Sequence, residues 1–305
     1  MDNESATFLV FEGVEGMTPA LARTSVILPA YRSWATLPAV LEALRPQIEG
    51  REREAILVES SGQEAARELE ARWPWLRVIT PPDRTLPGRA RNVAAGLATS
   101  SLLAFLDADA VPEPAWLDEL ERAMVPGIDA VAGAVINGTP RSVVGTAGYL
   151  LEFADWLPTE RRPLLHGATC NLLVRRAAFE EIGGFAEDIW PGEDTVFTFG
   201  LAQSGRLAFA PAARVRHLNR TRFRDYLVHQ RRLAVAFTAV CERVDFPHRS
   251  FSRPTLVPLA VPFRLAALGR RLLAHPREAA TAVLLLPILV AGLAAWGAGI
   301  VGARR

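Results

Sequence analysis

Short apolar runs alternate with segments of helical spacing through the first third of the chain. The strand-like runs and helix-like segments follow one another in the order 25–28, 37–44, 55–58, 64–72, 76–79, 89–97 and 102–106. Strands and helices that alternate at this interval form right-handed crossovers, so we expect a largely parallel sheet covered on both faces. The pattern predicts an α/β fold that binds ligands at the carboxyl ends of its strands.

The run at 279–303 has a different character because it carries no charged residue. As one helix, at about 1.5 Å per residue, it would reach roughly 37 Å, which exceeds a hydrocarbon core of about 30 Å. We predict a transmembrane helix here. A buried core helix is the alternative.

The segment 246–278 precedes that run and is predicted to be an interfacial amphipathic segment. Pro258, Pro262 and Arg264 interrupt its apolar stretch, which favours a helix lying on the membrane surface over a second span. More arginines precede the uncharged run than follow it. Those before it are Arg264, Arg270, Arg271 and Arg277, and those after it are Arg304 and Arg305. This excess predicts a membrane-anchored protein whose main domain faces the cytoplasm.

Composition narrows the possible partners. The formal net charge of +1 argues against nucleic-acid binding, and the absence of lysine excludes mechanisms built on a Schiff-base or P-loop lysine. Cys170 and Cys241 lack metal-ligand spacing and fit a reducing compartment. Residues 1–23 are acidic and lack a basic n-region, so we expect a flexible tail rather than a signal peptide.

Two aspartates, Asp107 and Asp109, follow the predicted strand at 102–106. Carboxylates at a strand end suit Mg²⁺ or Mn²⁺, which bind the diphosphate of a nucleotide. The alternative is that Asp109 or a neighbour caps a helix that starts near Pro114. After the first strand, residues 29–32 read PAYR and contain neither the glycine pattern of a dinucleotide fold nor a P-loop.

Five segments together resemble the family 2 glycosyltransferases of GT-A fold over about residues 24–235. They read SVILPAYRS, AILVESSGQ, GRARNVAAGLATSSLLAFLDADAVPEPAWLDEL, GATCNLLVRRAAFEEIGGF and PGEDTVFTFGLAQSG. The resemblance implies a single GT-A domain, which we assign to 24–245. Its first half would bind a nucleotide-diphosphate sugar and its second half the acceptor.

The resemblance also implies which residues surround the nucleotide. Pro29, Tyr31 and Glu59 would border the nucleoside, although the family commonly has Asp-Asp-Gly-Ser where this chain has ESSG at 59–62. Arg91 and Asn92 resemble an Arg-Asn pair near the nucleotide. The alternatives are a solvated turn residue for Glu59 and an exposed helix residue for Arg91.

A divalent metal, Mn²⁺ or Mg²⁺, is implied by the same motif. Asp109 would be the direct ligand, Asp107 a ribose-binding or indirect partner, and His217 the residue that completes the metal site. A lone histidine at a strand end also suits a structural role.

The resemblance places a catalytic base at Asp194, with Glu193 orienting the acceptor or the loop. Asp194 would remove the acceptor's proton in an inverting transfer, and its alternative role is an N-terminal helix cap. Arg231 and Arg232 belong to a segment that partly resembles Gln-x-x-Arg-Trp. They would contact the diphosphate or, alternatively, form a basic helix face near anionic lipid.

These observations predict a membrane-anchored glycosyltransferase that moves one sugar from a nucleotide-diphosphate sugar to an acceptor, for which we expect a membrane lipid. Two alternatives stay open, a nucleotidyltransferase of related α/β fold and a catalytically silent, membrane-anchored binding module. The first would need a glycine-rich basic loop after the first strand, which PAYR does not supply.

Overall fold

The computed structural model describes residues 23–159 and 162–303, and its centre is a mixed sheet. Nearly all of the predicted tail at 1–23 therefore lies outside the described residues. In the described part of the chain eight strands form the sheet in the order β3-β2-β1-β4-β7-β6-β8-β5. The strands are β1 (Thr24–Ala30), β2 (Arg53–Glu59), β3 (Arg77–Ile79), β4 (Leu102–Phe105), β5 (Ala110–Pro112), β6 (Ala130–Asn137), β7 (Leu172–Arg175) and β8 (Leu207–His217).

Helices connect these strands and then continue to the C-terminus. The first seven are α1 (Leu37–Ile48), α2 (Gln63–Arg72), α3 (Pro87–Leu97), α4 (Trp116–Ala123), α5 (Val143–Phe153), α6 (Arg176–Ile182) and α7 (Glu193–Gln203). The last four are α8 (Phe223–Arg243), α9 (Val257–Arg271), α10 (Pro276–Leu284) and α11 (Leu286–Gly302). Within α1, Leu37, Val40, Leu41 and Leu44 are buried at helical spacing, which fixes the face that packs on the sheet.

The first half of the sheet is parallel, as the alternating pattern predicts. β1 pairs in parallel with β2 and β4, and β2 pairs in parallel with β3. The second half is mixed, because β7 runs antiparallel between β4 and β6, and β5 runs antiparallel to β8. The α/β fold class is confirmed, and parallel pairing holds for β1 to β4 and for β6 with β8, while β5 and β7 are antiparallel to their neighbours.

The predicted single transmembrane helix at 279–303 is wrong as a continuous helix. The chain breaks at Leu285, and α10 and α11 meet at 78°. Pro287 lies in the first turn of α11, where a proline is tolerated because the N–H that it lacks has no helical partner there. Among the described helices none alone has the length and apolar character of a membrane span, and the bent pair meets that test jointly.

Helix α11 packs against α8 instead of standing apart from the domain. The Tyr226 hydroxyl donates to the Ile288 carbonyl at 3.0 Å. A Cβ added to Gly299 would lie 2.5 Å from the Arg231 carbonyl oxygen, so this position requires glycine for close helix approach. Ala260 of α9 and Trp296 of α11 belong to a small second core between these helices. The buried-helix alternative therefore describes much of α11.

Candidate active site

A cavity of about 360 Å³ opens where β1 and β4 end and α7 begins. This is the carboxyl end of the parallel strands, where α/β sheets bind ligands. Most of the site residues expected from the sequence line it, namely Pro29, Tyr31, Arg91, Asp107, Asp109, Glu193, Asp194, His217 and Arg232. Glu59 and Arg231 are not part of its lining.

Strand pairing brings Asp109 to His217. Ala110 of β5 is paired with His217 at the end of β8, and the Leu218 N–H donates to the Asp109 carbonyl at 2.8 Å. As a result Asp109 Oδ1 lies 3.4 Å from His217 Nε2. His217 Nδ1 lies 3.0 Å from Asn219 Oδ1, and a proton on Nδ1 would leave the Nε2 lone pair facing Asp109.

The helix-cap alternative for Asp109 does not describe this structure. α4 begins at Trp116, and its N-cap residue Ala115 makes no side-chain cap hydrogen bond. Asp109 lies earlier, in the turn that precedes β5. Its side chain is therefore available to the cavity rather than to the start of a helix.

The donor atoms of Asp109 and His217 fit a divalent cation in part. A carboxylate oxygen and an imidazole nitrogen at this separation can share one ion, whose other positions would be taken by water and diphosphate oxygens. Across residues 23–159 and 162–303, no group of three or more His, Cys, Asp or Glu side chains is arranged to hold a metal by itself. Asp109 and His217 thus fit an open metal site, in which a phosphate-bearing ligand would supply further oxygen ligands.

Arg91 is a buried bridge between the two acidic parts of the site. Only 2% of the residue is exposed, and its guanidinium donates to Asp107 Oδ1 and to Glu193 Oε1, both at 2.6 Å. Burial alone would lower the Arg91 pKa, but Asp107 and Glu193 outweigh it and raise the pKa. The exposed-helix alternative for Arg91 is therefore wrong, and Asp107 is held by the protein.

Asn92 has a different task from its neighbour. Its side-chain amide donates to the Phe185 carbonyl at 2.9 Å and its oxygen accepts from the Phe185 N–H at 2.9 Å. This pair of bonds ties α3 to the glycine turn that ends α6. Asn92 thus positions the segment before Glu193, and its side chain is not part of the cavity lining.

Asp194 occupies the first turn of α7 and lines the cavity. The preceding Gly192 has a φ of +113°, and a Cβ there would lie 2.9 Å from Val240, so glycine is required at this turn. Asp194 Oδ1 accepts from the Thr195 N–H at 2.7 Å, a local bond at the helix start. Burial raises the pKa of Asp194, against the opposing effect of Arg91. The N-cap residue of α7 is Gly192, and Asp194 lies two residues later, so Asp194 is not the helix cap and its role as a base stays a prediction.

Glu193 points away from solvent towards Arg91. Burial raises its pKa, and the Arg91 guanidinium opposes that effect. Because the Arg91 guanidinium also donates to Asp107, the positions of the Glu193 and Asp107 carboxylates are linked through Arg91. This contact is compatible with the expected role of Glu193 in orienting the loop, which stays a prediction.

The expected nucleoside side of the cavity contains Tyr31 and an arginine. The Arg84 guanidinium lies 4.4 Å from the centre of the Tyr31 ring. Glu59 lies at the end of β2, is buried, and accepts from the Ser61 N–H at 2.6 Å. The solvated-turn alternative for Glu59 is therefore wrong, although the residue lies outside the cavity lining.

Arg231 and Arg232, the two neighbouring arginines of α8 expected near the diphosphate, differ in their surroundings. Arg232 lines the cavity, and its guanidinium lies 5.9 Å from the Trp190 ring centre. Arg231 is exposed on the same helix and its backbone carbonyl faces α11 near Gly299. Of these two arginines, Arg232 is the one positioned to contact a ligand in this cavity.

Sequence reasoning missed an acidic and basic pair at the back of the site. Glu152 accepts from His229 Nε2 at 2.9 Å, and both residues line the cavity. Burial would raise the Glu152 pKa, but His229 outweighs it, and the pKa falls to about 2. The available signal was Glu152 itself, the sole charged residue in the apolar stretch at 143–154.

Comparisons with known proteins agree with this architecture. The sequence profile of glycosyl transferase family 2 matches residues 25–183. Pre-mycofactocin glycosyltransferase of Mycobacterium tuberculosis is 28% identical over 51% of this chain and 35% of its own length. Glycosyltransferase AglE of Haloferax volcanii is 28% identical over 64% of this chain and 66% of its own. The chain thus spans about a third of the first relative and about two thirds of the second.

One solved structure shares the fold over most of the chain. The mannosyltransferase PcManGT of Pyrobaculum calidifontis, in complex with GDP-Man and Mn²⁺, superposes with a TM-score of 0.60 at 20% identity. The match covers 93% of this chain and 88% of that protein. With a family profile that spans more than half of the chain and the strand-end aspartates in place, this protein belongs to glycosyl transferase family 2.

Proposed function

We propose that this protein is a glycosyltransferase that moves one sugar from a nucleotide-diphosphate sugar to an acceptor with inversion at the sugar carbon. The observation that carries the proposal is the meeting of Asp109, His217 and Asp194 around one cavity. Such a transfer requires a group that stabilises the leaving diphosphate and a base that accepts the proton of the acceptor. Asp109 and His217, where β5 pairs with β8, suit the first requirement, and Asp194 at the start of α7 suits the second.

The donor occupies the side of the cavity bounded by Pro29, Tyr31 and Asp107 in this proposal. Arg91 holds the Asp107 carboxylate at 2.6 Å, so one of its oxygens is fixed for hydrogen bonding to the ribose. Arg232 supplies positive charge towards the diphosphate. A divalent cation, when bound by Asp109 and His217, would stabilise the charge that develops on the leaving diphosphate.

Asp194 accepts the proton in the transfer step. The acceptor oxygen forms a bond to the sugar carbon, the bond from that carbon to the diphosphate oxygen breaks, and the acceptor's proton passes to Asp194. Burial raises the pKa of Asp194, which brings a carboxylate closer to the range of an effective general base. An acceptor that is already ionised would not need this base.

The acceptor is a membrane lipid or lipid-linked molecule, and the protein binds the cytoplasmic face of the membrane. Four exposed apolar residues form what we term the C-terminal apolar surface: Leu273, Val283, Leu284 and Leu286. Leu273 is 82% exposed and Leu284 80%. Arg270, Arg271 and Arg277 lie close to them in sequence, which suits anionic headgroups.

A donor panel tests the proposed function. Thermal unfolding of the full chain is followed with GDP- and UDP-sugars, each with and without Mn²⁺. A donor present at 100 times its dissociation constant should add about 2.7 kcal/mol of stability, and only when Mn²⁺ is present. Absence of a Mn²⁺-dependent shift with every nucleotide sugar would contradict the proposal.

A further inference from the structure

A second cavity, of about 590 Å³, adjoins the first on the side of the C-terminal helices. Its lining includes the aromatic side chains of Trp156 and Phe246, together with Phe237, Phe263 and Trp296 from α8, α9 and α11. Cavities of this size and apolar character are typical sites for small ligands. We term it the aromatic cavity.

The two cavities share a wall at the proposed reaction centre. Glu152, Phe153, Ala168, Pro191, Gly192 and Asp194 line both. A molecule in the aromatic cavity therefore contacts Asp194, whereas Asp107 lines only the first cavity. Two cavities that meet at Asp194 suit a direct displacement, in which the nucleophile and the leaving group lie on opposite sides of the sugar carbon.

Arg264 of α9 brings an uncompensated positive charge to the aromatic cavity. Its guanidinium lies 4.5 Å from the centre of the Trp296 ring, and its Nε is buried without a hydrogen-bond partner in the described structure. Burial lowers the Arg264 pKa to about 10, which still leaves it charged near neutral pH. A buried donor without a partner is costly, so a ligand that supplies an acceptor oxygen would be favoured.

Two of the three carboxylates around this cavity already have partners, and the third, Asp194, lies in the wall shared with the first cavity. Asp155 is paired with Arg271, and Glu152 is paired with His229. Among the described residues the Arg264 guanidinium forms no ion pair, whereas Arg270, at the end of α9, is exposed. Arg264 is thus the buried cationic group in this cavity with which an anionic group of a ligand could pair.

We propose that the aromatic cavity binds the acceptor as an anionic amphiphile, whose apolar body packs among the rings and whose phosphate or carboxylate contacts Arg264. This inference rests on the proposed sugar transfer and adds the chemical class of the acceptor and its binding residue. Arg270 and Arg271 line the cavity only a few residues before Leu273 of the C-terminal apolar surface. An amphiphile thus enters from the surface that faces the membrane.

Direct binding measurements on the full chain test this inference. Calorimetry is carried out with oleate, farnesyl phosphate and the neutral farnesol, each below its critical micelle concentration. Arg264→Gln removes the charge, and Ala267→Phe fills the cavity from α9 without removing a wall residue. The matched controls are Arg253→Gln and Ala266→Phe, at exposed positions outside the cavity lining. Circular dichroism verifies that each variant is folded.

At least one anionic amphiphile should bind the wild-type chain ten times more tightly than farnesol. Arg264→Gln should remove that preference, Ala267→Phe should weaken binding at least tenfold, and both controls should match wild type. Preference for oleate or for farnesyl phosphate would identify the anion as a carboxylate or a phosphate. Equal binding of farnesol and both anions, or unchanged binding in Ala267→Phe, would overturn the inference.

Donor titration with Mn²⁺ on the same samples separates the two proposals. Donor binding without amphiphile binding would overturn only the inference. Amphiphile binding without binding of any nucleotide sugar would overturn the transfer function and, with it, the acceptor role of the cavity.

Discussion

At the residue scale, the site depends on one buried arginine as much as on its carboxylates. Arg91 joins Asp107, which follows β4, to Glu193 at the start of α7. Removing one partner of such a buried network leaves uncompensated charge, which typically costs about 3–5 kcal/mol. The fold therefore depends on this arginine, which also fixes the spacing between the proposed donor side and the proposed base side of the cavity.

Replacement of Arg91 should make stability strongly dependent on pH. In Arg91→Met the opposing effect of the guanidinium is lost, while burial and the nearby Asp194 carboxylate still act on Glu193, so its folded-state pKa rises further above the unfolded value of about 4.3. A group with a raised folded-state pKa contributes stability at low pH that is lost as pH rises through that pKa. Urea unfolding should thus show a larger loss at pH 8 than at pH 5.

The exposed Arg89 on the same helix provides the control for that experiment. Its contact with Glu187 is 3.9 Å and lies at the surface, so Arg89→Met should change stability by less than about 1 kcal/mol at both pH values. Equal losses for Arg91→Met at pH 5 and pH 8 would show that the bridge does not control the ionisation of Glu193.

Asp194 should affect the rate of transfer and leave donor binding nearly unchanged. Asp194→Asn keeps an oxygen that can accept from the Thr195 N–H but removes the base. With a hydroxyl acceptor, the rate should fall by roughly 10²–10⁴-fold at nearly constant donor affinity. Single-turnover kinetics measure the rate and calorimetry the affinity. Full turnover on a hydroxyl acceptor would leave Asp194 with its helix-start role alone.

The sequence predicted some residues of the site and not others, for physical reasons. Asp107 and Asp109 follow an apolar strand, so their position at the carboxyl end was predictable. The burial of Arg91 was not, because an arginine in a helix has the same local pattern whether it faces solvent or a carboxylate. Glu152 and His229 are 77 residues apart, and only the packing of α5 on α8 pairs them.

At the element scale, local periodicity predicted the first half of the sheet well. The predicted strand at 102–106 and the observed β4 (Leu102–Phe105) differ by one residue, and α2 begins one residue before its predicted start. The second half was not predictable in this way. The insertion of β7 between β4 and β6 depends on pairing between distant segments, and no short-range pattern encodes its direction.

The close packing of α11 on α8 gives a prediction at this scale. Gly299→Leu would place a side chain against the Arg231 carbonyl and Ala234, forcing the helices apart at a cost of about 1–3 kcal/mol. Chemical denaturation measures the loss. Gly302→Leu, near the end of the same helix with open space around it, is the control and should be close to neutral. Equal stability of the two variants would mean that α11 does not pack on α8 in this way.

At the scale of the whole molecule, the two cavities adjoin one another, and the aromatic cavity is lined by α9, which directly precedes the C-terminal apolar surface in sequence. The cavity proposed to bind the donor lies at the strand ends, the aromatic cavity is lined in part by the C-terminal helices, and the C-terminal apolar surface follows α9 in sequence. The cytoplasmic, membrane-associated placement remains a proposal. It assigns each part of the C-terminal region a role in presenting an acceptor.

Vesicle binding tests that placement. The double variant Leu273→Glu and Leu284→Glu should bind vesicles with anionic phospholipid at least tenfold more weakly. Each exposed leucine that becomes buried in the membrane on binding would contribute roughly 1.5–3 kcal/mol to the affinity. Val125→Glu alters an exposed apolar residue after α4 and should leave binding unchanged. Co-sedimentation provides the measurement. Wild-type affinity in the double variant would mean that another surface meets the membrane.

The central claim is that Asp109 and His217 form a metal-dependent donor site, and calorimetry of Asp109→Asn tests it most directly. In Mn²⁺, the wild-type chain should bind at least one GDP- or UDP-sugar, and the folded Asp109→Asn variant should lose most of that affinity. Asp225→Asn, which removes an exposed carboxylate in the first turn of α8, should bind like wild type. Unchanged, Mn²⁺-dependent donor affinity in Asp109→Asn would contradict the account.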